Sequence, residues 1–243
     1  MQRDQIYSTE HDLVEEFRFD QSVANVFPDM IQRSVPGYGV IISLVGLLAE
    51  QYLQQGSYGY DLGSSLGAST LAMVGAAEEK RCRIIAVDSS SAMIKKCREN
   101  LATAGLDRSS VIDLRCEDVR DTKIENASFV TMNFTLQFIP VAEREDMLRR
   151  VADGISPGGG FMLSEKIGFD DSEQQKRMES LHHAFKRANG YSELEISQKR
   201  TALEDVLVPE TLQHHFARLE RAGFSRVEVL FQALNFVSML AVR

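Results

Sequence analysis

From residue 57 to residue 165, short apolar runs alternate with longer stretches whose apolar residues recur every three or four positions. The runs are Ser57–Leu62, Arg83–Asp88, Val111–Cys116, Phe129–Phe134 and Phe161–Glu165. Each has the length of a strand and carries Ile, Val, Tyr or Phe, so each is expected as a β-strand. Helical patterns lie between them at about 66–77, 90–104 and 141–155. In the second, Met93, Ile94, Cys97 and Leu101 share one face behind serines suited to capping. Ser156-Pro157-Gly158-Gly159-Gly160 is expected to stop the third. This alternation requires a mostly parallel sheet with right-handed crossovers and helices on both faces. The expected fold is therefore α/β, doubly wound and Rossmann-like, in one domain spanning residues 1–243.

The flanks depart from this rhythm. Residues 1 to about 20 are polar and irregular and are expected as a mobile arm. A helix is expected after Asp20, restarting at Pro28 and ending before Pro36. Val40 to Leu48 is apolar on nearly every face, which predicts burial against the sheet. The turn cluster Ser34–Gly39 is placed to fold over a ligand, with Tyr38 either a lid residue or ordinary packing. After the fifth strand, 172–188, 193–207 and 209–222 read as amphipathic helices, an excursion suited to a substrate cover or a subunit interface. Arg226–Phe231 and Phe236–Val242 then return as an antiparallel hairpin at the sheet edge.

Charge narrows the function classes. A net charge of −8 and a pI near 5.2 argue against gripping a nucleic-acid backbone. The longest apolar run, Gly39–Ala49, is far shorter than the roughly 18–20 residues of a membrane span, and no apolar signal core follows Met1. A cytoplasmic protein is expected. Cys82, Cys97 and Cys116 fit neither a disulfide framework nor a zinc spacing and are expected as buried free thiols. The adjacent pairs His182-His183 and His214-His215 would point about 100° apart on a helix, so no metal site is expected.

The candidate chemistry begins at Tyr60-Asp61-Leu62-Gly63-Ser64-Ser65-Leu66-Gly67, where the first strand meets its helix. Glycine lets backbone N–H groups approach a ligand, and Ser64 and Ser65 add small polar contacts. The second strand ends in Asp88, roughly 20–25 residues past the first glycine, where nucleoside-binding folds place an acid on the ribose hydroxyls. Asp61 would repel a pyrophosphate but accept a hydrogen bond from an ammonium group or its bound water. A nucleoside with an amino-acid tail fits best, namely S-adenosyl-L-methionine, and this stretch resembles the class I methyltransferases that use it. Gly63, Asp88, Asp118 and Asn133 all fall at carboxyl ends of strands, where such sheets bind ligands. Asp118 is placed for the adenine amino group and the Val119 N–H for a ring nitrogen. The plain alternatives are a solvated turn for Asp118 and a core-edge cap for Asn133.

Four segments carry a more specific resemblance: Phe27 to Tyr38, Asp61 to Gly67, Asn133 to Phe138, and Phe185 to Arg200. Together they resemble the bacterial carboxy-S-adenosyl-L-methionine synthases, over nearly the whole chain. Ser64 stands where that family usually has cysteine, which argues against thiol chemistry there. The resemblance implies binding roles for Tyr38, Gly63, Ser64, Ser65, Asp88, Ser89, Asp118, Val119, Asn133 and Arg200. It also implies that S-adenosyl-L-methionine and prephenate become carboxy-S-adenosyl-L-methionine and phenylpyruvate. Prephenate would aromatise and pass its ring carboxyl to a methyl-deprotonated sulfonium, with the departing hydroxide as base. The product would go to a separate tRNA carboxymethyltransferase for wobble uridine, and the chain would be a homodimer that does not itself grip tRNA. Arg200 is the implied catalytic residue, since a guanidinium beside a sulfonium becomes favourable only once the methyl carries a carboxylate. An ordinary small-molecule methyltransferase would share every feature except the 185–200 block, and a second rival is a dimeric, non-catalytic module that only senses or delivers S-adenosyl-L-methionine.

Overall fold

Five parallel strands build the centre of the sheet: β1 (Tyr58–Leu62), β2 (Arg83–Asp88), β3 (Ile112–Cys116), β4 (Ala127–Asn133) and β5 (Ile155–Gly168). A computed structural model describes residues 2–10, 13–106, 109–204 and 206–243. Two further strands, β7 (Arg226–Ala233) and β8 (Phe236–Val242), form the antiparallel hairpin, and β8 lies against β5. The order is β3-β2-β1-β4-β5-β8-β7, and the two-residue β6 (Glu210–Thr211) pairs with the end of β5. Reversal of strand order on either side of β1 puts a switch point beside the Gly63 turn.

Helices cover both faces, as right-handed crossovers require. On one face α2 (Tyr38–Tyr52) and α3 (Ala68–Glu79) bury Ile41, Val45, Leu48 and Met73 against Ile84, Phe129 and Met162. On the other, α5 (Arg144–Gly154) and α8 (Leu212–Ala222) bury Met147, Leu148, Val151 and Leu219 against Leu62, Val130 and Phe161. A smaller cluster under α1 (Gln21–Ser34) and α4 (Ser91–Thr103) holds Val23, Met30, Leu66 and Met93. The excursion supplies α6 (Ser172–Ala188), capped by Asp171, and α7 (Glu193–Leu203), closed by a capping box of Ser192 and Glu195.

Several boundaries differ from the sequence reading, each for a local reason. The glycine run expected to stop the third helix follows a helix that has already ended at Gly154. It lies inside β5, because Gly160 lets the Tyr52 ring lie where a Cβ would meet it at 2.8 Å. Helix α1 runs through Pro28 without restarting, held by its buried face, and meets α2 at a 99° bend. Helix α7 ends at Leu203 rather than near 207, and α8 begins at Leu212 because Glu210–Thr211 joins the sheet. Helix α2 is not wholly buried: Val40 and Leu47 face outward, since only one side meets the sheet. Cys82 and Cys97 are buried, but Cys116 at the tip of β3 is exposed.

The first twenty residues, expected as a mobile arm, carry no helix or strand among their described positions, yet they are docked. Asp4 is 2% exposed, its N–H donates to Asp29 at 2.8 Å, and it accepts the Tyr191 hydroxyl at 2.5 Å. Further along, the Phe17 N–H donates to the Ala202 carbonyl at 2.9 Å. These contacts tie the arm to α1, to the turn between α6 and α7, and to α7.

The loop after β4 is fixed by a buried cation. Arg144 is fully buried and donates to the carbonyls of Gln137 and Ile139 at 3.0 and 2.8 Å and to Glu210 at 2.5 Å. Arg218 donates to both oxygens of the same carboxylate. Breaking a buried, hydrogen-bonded pair by removing one member costs about 3–5 kcal/mol. Arg144→Ala is therefore expected to lower the unfolding free energy by about that amount in a denaturant titration. A loss below about 1 kcal/mol would show that Glu210 and the two carbonyls are satisfied without it.

Candidate active site

The carboxyl ends of β1 to β5 open into one cavity of about 790 Å³. Its nucleoside-like end is built by the turn after β1. The Gly63 and Ser64 N–H groups both donate to the Val87 carbonyl at 2.8 Å, which folds the turn over the end of β2. That path needs left-handed backbone at Gly63 (φ 85), Ser65 (φ 47) and Gly67 (φ 85). At Gly63 a Cβ would also meet the Thr135 hydroxyl oxygen at 2.0 Å, so only glycine fits. The Ser64 hydroxyl is buried in the cavity wall with no hydrogen-bond partner among the described residues, an orphan group suited to a ligand.

Asp88 ties this turn to the next helix. One carboxylate oxygen accepts the Ser65 N–H at 2.9 Å and the other the Ser90 N–H at 2.8 Å. Burial raises its pKa, against the lowering effect of those two bonds. Asp88 and the neighbouring Ser89 both line the cavity. Asp118 and Val119 also line it, but the Asp118 carboxylate is clasped by Arg120 at 3.0 and 2.7 Å, which lowers its pKa. Arg120 is held in turn by Glu143 at 2.6 Å.

Asn133 lines the cavity while its side chain is taken up by a buried network. It donates to the hydroxyls of Ser69 and Thr131 and accepts from Ser164, whose hydroxyl meets that of Ser238. Phe134 follows with φ 58, a left-handed non-glycine residue at the rim. Tyr38 lines the cavity at the start of α2, its phenol pKa raised by burial and then by the Asp61 charge, so it stays neutral. Asp61 itself does not line the cavity. It accepts the Thr70 hydroxyl at 2.6 Å, and burial pushes its pKa up to about 7. It braces α3 from behind the turn.

The residues singled out from the sequence line this one cavity except two: Asp61, expected to accept from a ligand ammonium group but turned to Thr70 instead, and Arg200. Arg200 is exposed on α7, where its charge reaches His183 on α6. The residue before it, Lys199, turns inward instead. Lys199 joins Lys166 of β5 and Lys186 and His182 of α6 in the far wall, and sequence reasoning missed them as a group. Their only signal was polar residues at buried helical positions, which appears once the register of α6 and α7 is known. The His182 ring contacts the Ser34 carbonyl at 2.8 Å, and burial, followed by Lys186, lowers its pKa to about 3. It is a neutral donor there.

Comparison with known proteins gives the family. A family model described as "Methyltransferase domain" matches residues 60–159. The chain is 53% identical over 240 residues to the carboxy-S-adenosyl-L-methionine synthase of Marinobacter nauticus, covering 99% of this chain and 95% of the relative. It is 54% identical over 242 residues to that of Geobacter metallireducens, covering 99% and 98%. The chain belongs to the carboxy-S-adenosyl-L-methionine synthase family. Solved structures share the fold at lower identity. An O-methyltransferase family protein from Burkholderia thailandensis aligns with a TM-score of 0.64 at 14% identity, covering 93% of this chain and 60% of that one. Human N-acetylserotonin methyltransferase, solved with S-adenosylmethionine, aligns with a TM-score of 0.60 at 14% identity, covering 92% and 55%.

Asp88 thus holds the turn together and lines the cavity at the same time. Charge-assisted hydrogen bonds are worth roughly 1.5–3 kcal/mol. Asp88→Ala is expected to weaken S-adenosyl-L-methionine binding by about one to two powers of ten in a calorimetric titration. Unchanged affinity would take Asp88 out of the site.

Proposed function

We propose that this chain converts S-adenosyl-L-methionine and prephenate to carboxy-S-adenosyl-L-methionine and phenylpyruvate. The observation that carries this is a single cavity joining the nucleoside-side residues at the ends of β1 to β4 to a far end beneath α6 and α7. About 790 Å³ lies in the upper part of the range for small-molecule sites, in keeping with a second small molecule beside the first. Membership of the synthase family supports the carboxyl chemistry over plain methyl transfer.

The reaction balances without a side-chain base. The bond from prephenate's ring to its carboxyl breaks, its electron pair aromatises the ring, and the ring hydroxyl leaves as hydroxide. Hydroxide takes a proton from the methyl group of S-adenosyl-L-methionine, giving water, and the methyl carbon bonds to the released carbon dioxide. The chain's part is to hold both substrates together and to exclude bulk water from that exchange. Phe19, Phe27 and Phe138 wall the cavity with apolar surface suited to that exclusion.

Arg200 is proposed as the anchor of the transferred carboxylate, although in a single chain it stands outside the cavity wall. In a homodimer a second copy is a further route by which a guanidinium reaches the ligand. The chain is further proposed to act in the cytoplasm and to supply a tRNA carboxymethyltransferase with its carboxymethyl donor for wobble uridine. It would not bind tRNA itself, in keeping with its net charge of −8.

Incubation with both substrates, followed by mass spectrometry, tests the activity. Carboxy-S-adenosyl-L-methionine and phenylpyruvate are the expected products. Methyl transfer to another acceptor, or binding without turnover, would overturn the reading. For Arg200→Ala, affinity for the carboxy product should fall by about 2–5 kcal/mol while affinity for S-adenosyl-L-methionine holds. Equal losses, or none, would remove Arg200 from the carboxylate site.

A further inference from the structure

The charged groups lining the cavity are unevenly placed. Asp88, Asp118 and Arg120 line the nucleoside end, where Arg120 is already paired with Asp118 and Glu143. Lys166, Lys186 and Lys199 line the other end, and among the described residues no carboxylate lines the cavity there. In a chain of net charge −8, three lysines gathered in one pocket run against the overall balance.

These ammonium groups are also poorly compensated. Lys199 is 6% exposed, and its Nζ makes no hydrogen bond among the described residues. Its one ion-pair partner among the described residues is Asp4, at 3.6 Å, and that carboxylate already takes the Tyr191 hydroxyl at 2.5 Å. Lys186 is 8% exposed, and neither it nor Lys166 has a side-chain hydrogen bond or ion pair among the described contacts. His182 beside them is held neutral with its one N–H spent on the Ser34 carbonyl, so it adds no counter-charge. Burying cations without anions costs several kcal/mol each, so an arrangement of this kind implies that the anion comes from outside.

S-adenosyl-L-methionine does not supply it. That molecule carries a sulfonium, an ammonium and one carboxylate, so it brings net positive charge to a wall that is already cationic. A second ligand with two carboxylates does match. We propose that Lys166, Lys186 and Lys199 are the receptor for a dicarboxylate co-substrate, with Lys166 and Lys186 taking its carboxylates directly and Lys199 balanced in part by Asp4. Burial and the neighbouring lysines lower the pKa of Lys186 to about 7, and burial lowers that of Lys199 to about 8, as expected of cations awaiting an anion. The topology fits: Lys166 lies near the end of β5, three strands across the sheet from Asp88 on β2. The second ligand would therefore sit on the far side of the transferred methyl group from the adenosine.

This inference deepens the proposed reaction, in which prephenate is the dicarboxylate. It is tested by binding and not by turnover, so the two can fail separately. The full-length protein is saturated with S-adenosylhomocysteine, which lacks the methyl group, and prephenate is titrated in by calorimetry. Lys166→Met and Lys186→Met should each weaken prephenate at least about 30-fold, and should weaken the monocarboxylate phenylpyruvate less. Affinity for S-adenosylhomocysteine should change by less than about threefold, which also shows that the variants are folded. Unchanged prephenate affinity in both variants would overturn the proposal. So would parallel losses for prephenate and S-adenosylhomocysteine, which would make the lysines supports of the shared cavity. Charge-dependent prephenate binding without carboxy product from the wild type would leave this receptor standing and sink the proposed reaction.

Discussion

The turn between β1 and α3 depends on one constraint: three consecutive N–H groups must be turned onto the end of β2. Those of Gly63 and Ser64 go to the Val87 carbonyl and that of Ser65 to the Asp88 carboxylate. No L-residue with a side chain fits at Gly63, because the φ is 85 and Thr135 lies in the space a Cβ would take. With the turn folded, Asp88 becomes a fixed acceptor and α3 starts from a left-handed Gly67. Thr70 at its first turn then reaches back to Asp61. Nucleoside-side geometry thus follows from backbone satisfaction, which a parallel sheet must achieve at its strand ends in any case.

At the other end of the cavity the ordering comes from side chains brought together over long sequence distances. Arg144 fixes the carbonyls of Gln137 and Ile139. The Gln137 side chain in turn accepts the Lys166 N–H at 3.0 Å, so the loop after β4 and the end of β5 move as one. Glu165, beside Lys166, is fully buried, and its pKa is pushed up to about 8 by burial against the weaker pull of Arg144. A neutral acid behind the wall leaves the lysine field uncancelled. Helices α6 and α7 are in turn held by the docked N-terminal segment through Asp4, Tyr191 and Arg33, whose guanidinium lies 3.8 Å over the Tyr191 ring.

The difference between the two ends explains what the sequence made legible. Strand order, the crossovers and the turn follow from local signals: period, glycine placement and an acid at a strand tip. Those signals located Gly63, Ser64, Ser65, Asp88, Asp118, Val119 and Asn133, which share the cavity, and Ser89 beside them came from the family resemblance. Lys166, Lys186 and Lys199 carry no such signal. A lysine reads as a solvated residue unless its helix register and neighbours are known, and the direction in which α7 faces is set by Asp4 and Phe17, nearly two hundred residues away in the chain. The same gap separated Lys199 from Arg200: neighbours on a helix differ by about 100°, and only docking decides which one turns inward. The polar N-terminal stretch was misleading for a related reason, since its anchoring residues, Asp4 and Phe17, are few and widely spaced.

A cavity with carboxylates at one end and poorly compensated lysines at the other imposes an order on what it holds. The lysines repel a sulfonium placed near them, so S-adenosyl-L-methionine alone would bind against that field. An anionic co-substrate on the lysines would cancel the field and attract the sulfonium across the gap between them. Any such gain is reciprocal, because the free energy by which one ligand favours the other is a single quantity. It would also be largest in an apolar enclosure, where charges a few ångströms apart interact far more strongly than in water. Phe19, Phe27, Phe138 and Phe236 supply that enclosure, so the aromatic wall and the buried lysines act together: the first makes the charges costly while unpaired, and the second directs that cost toward an anion.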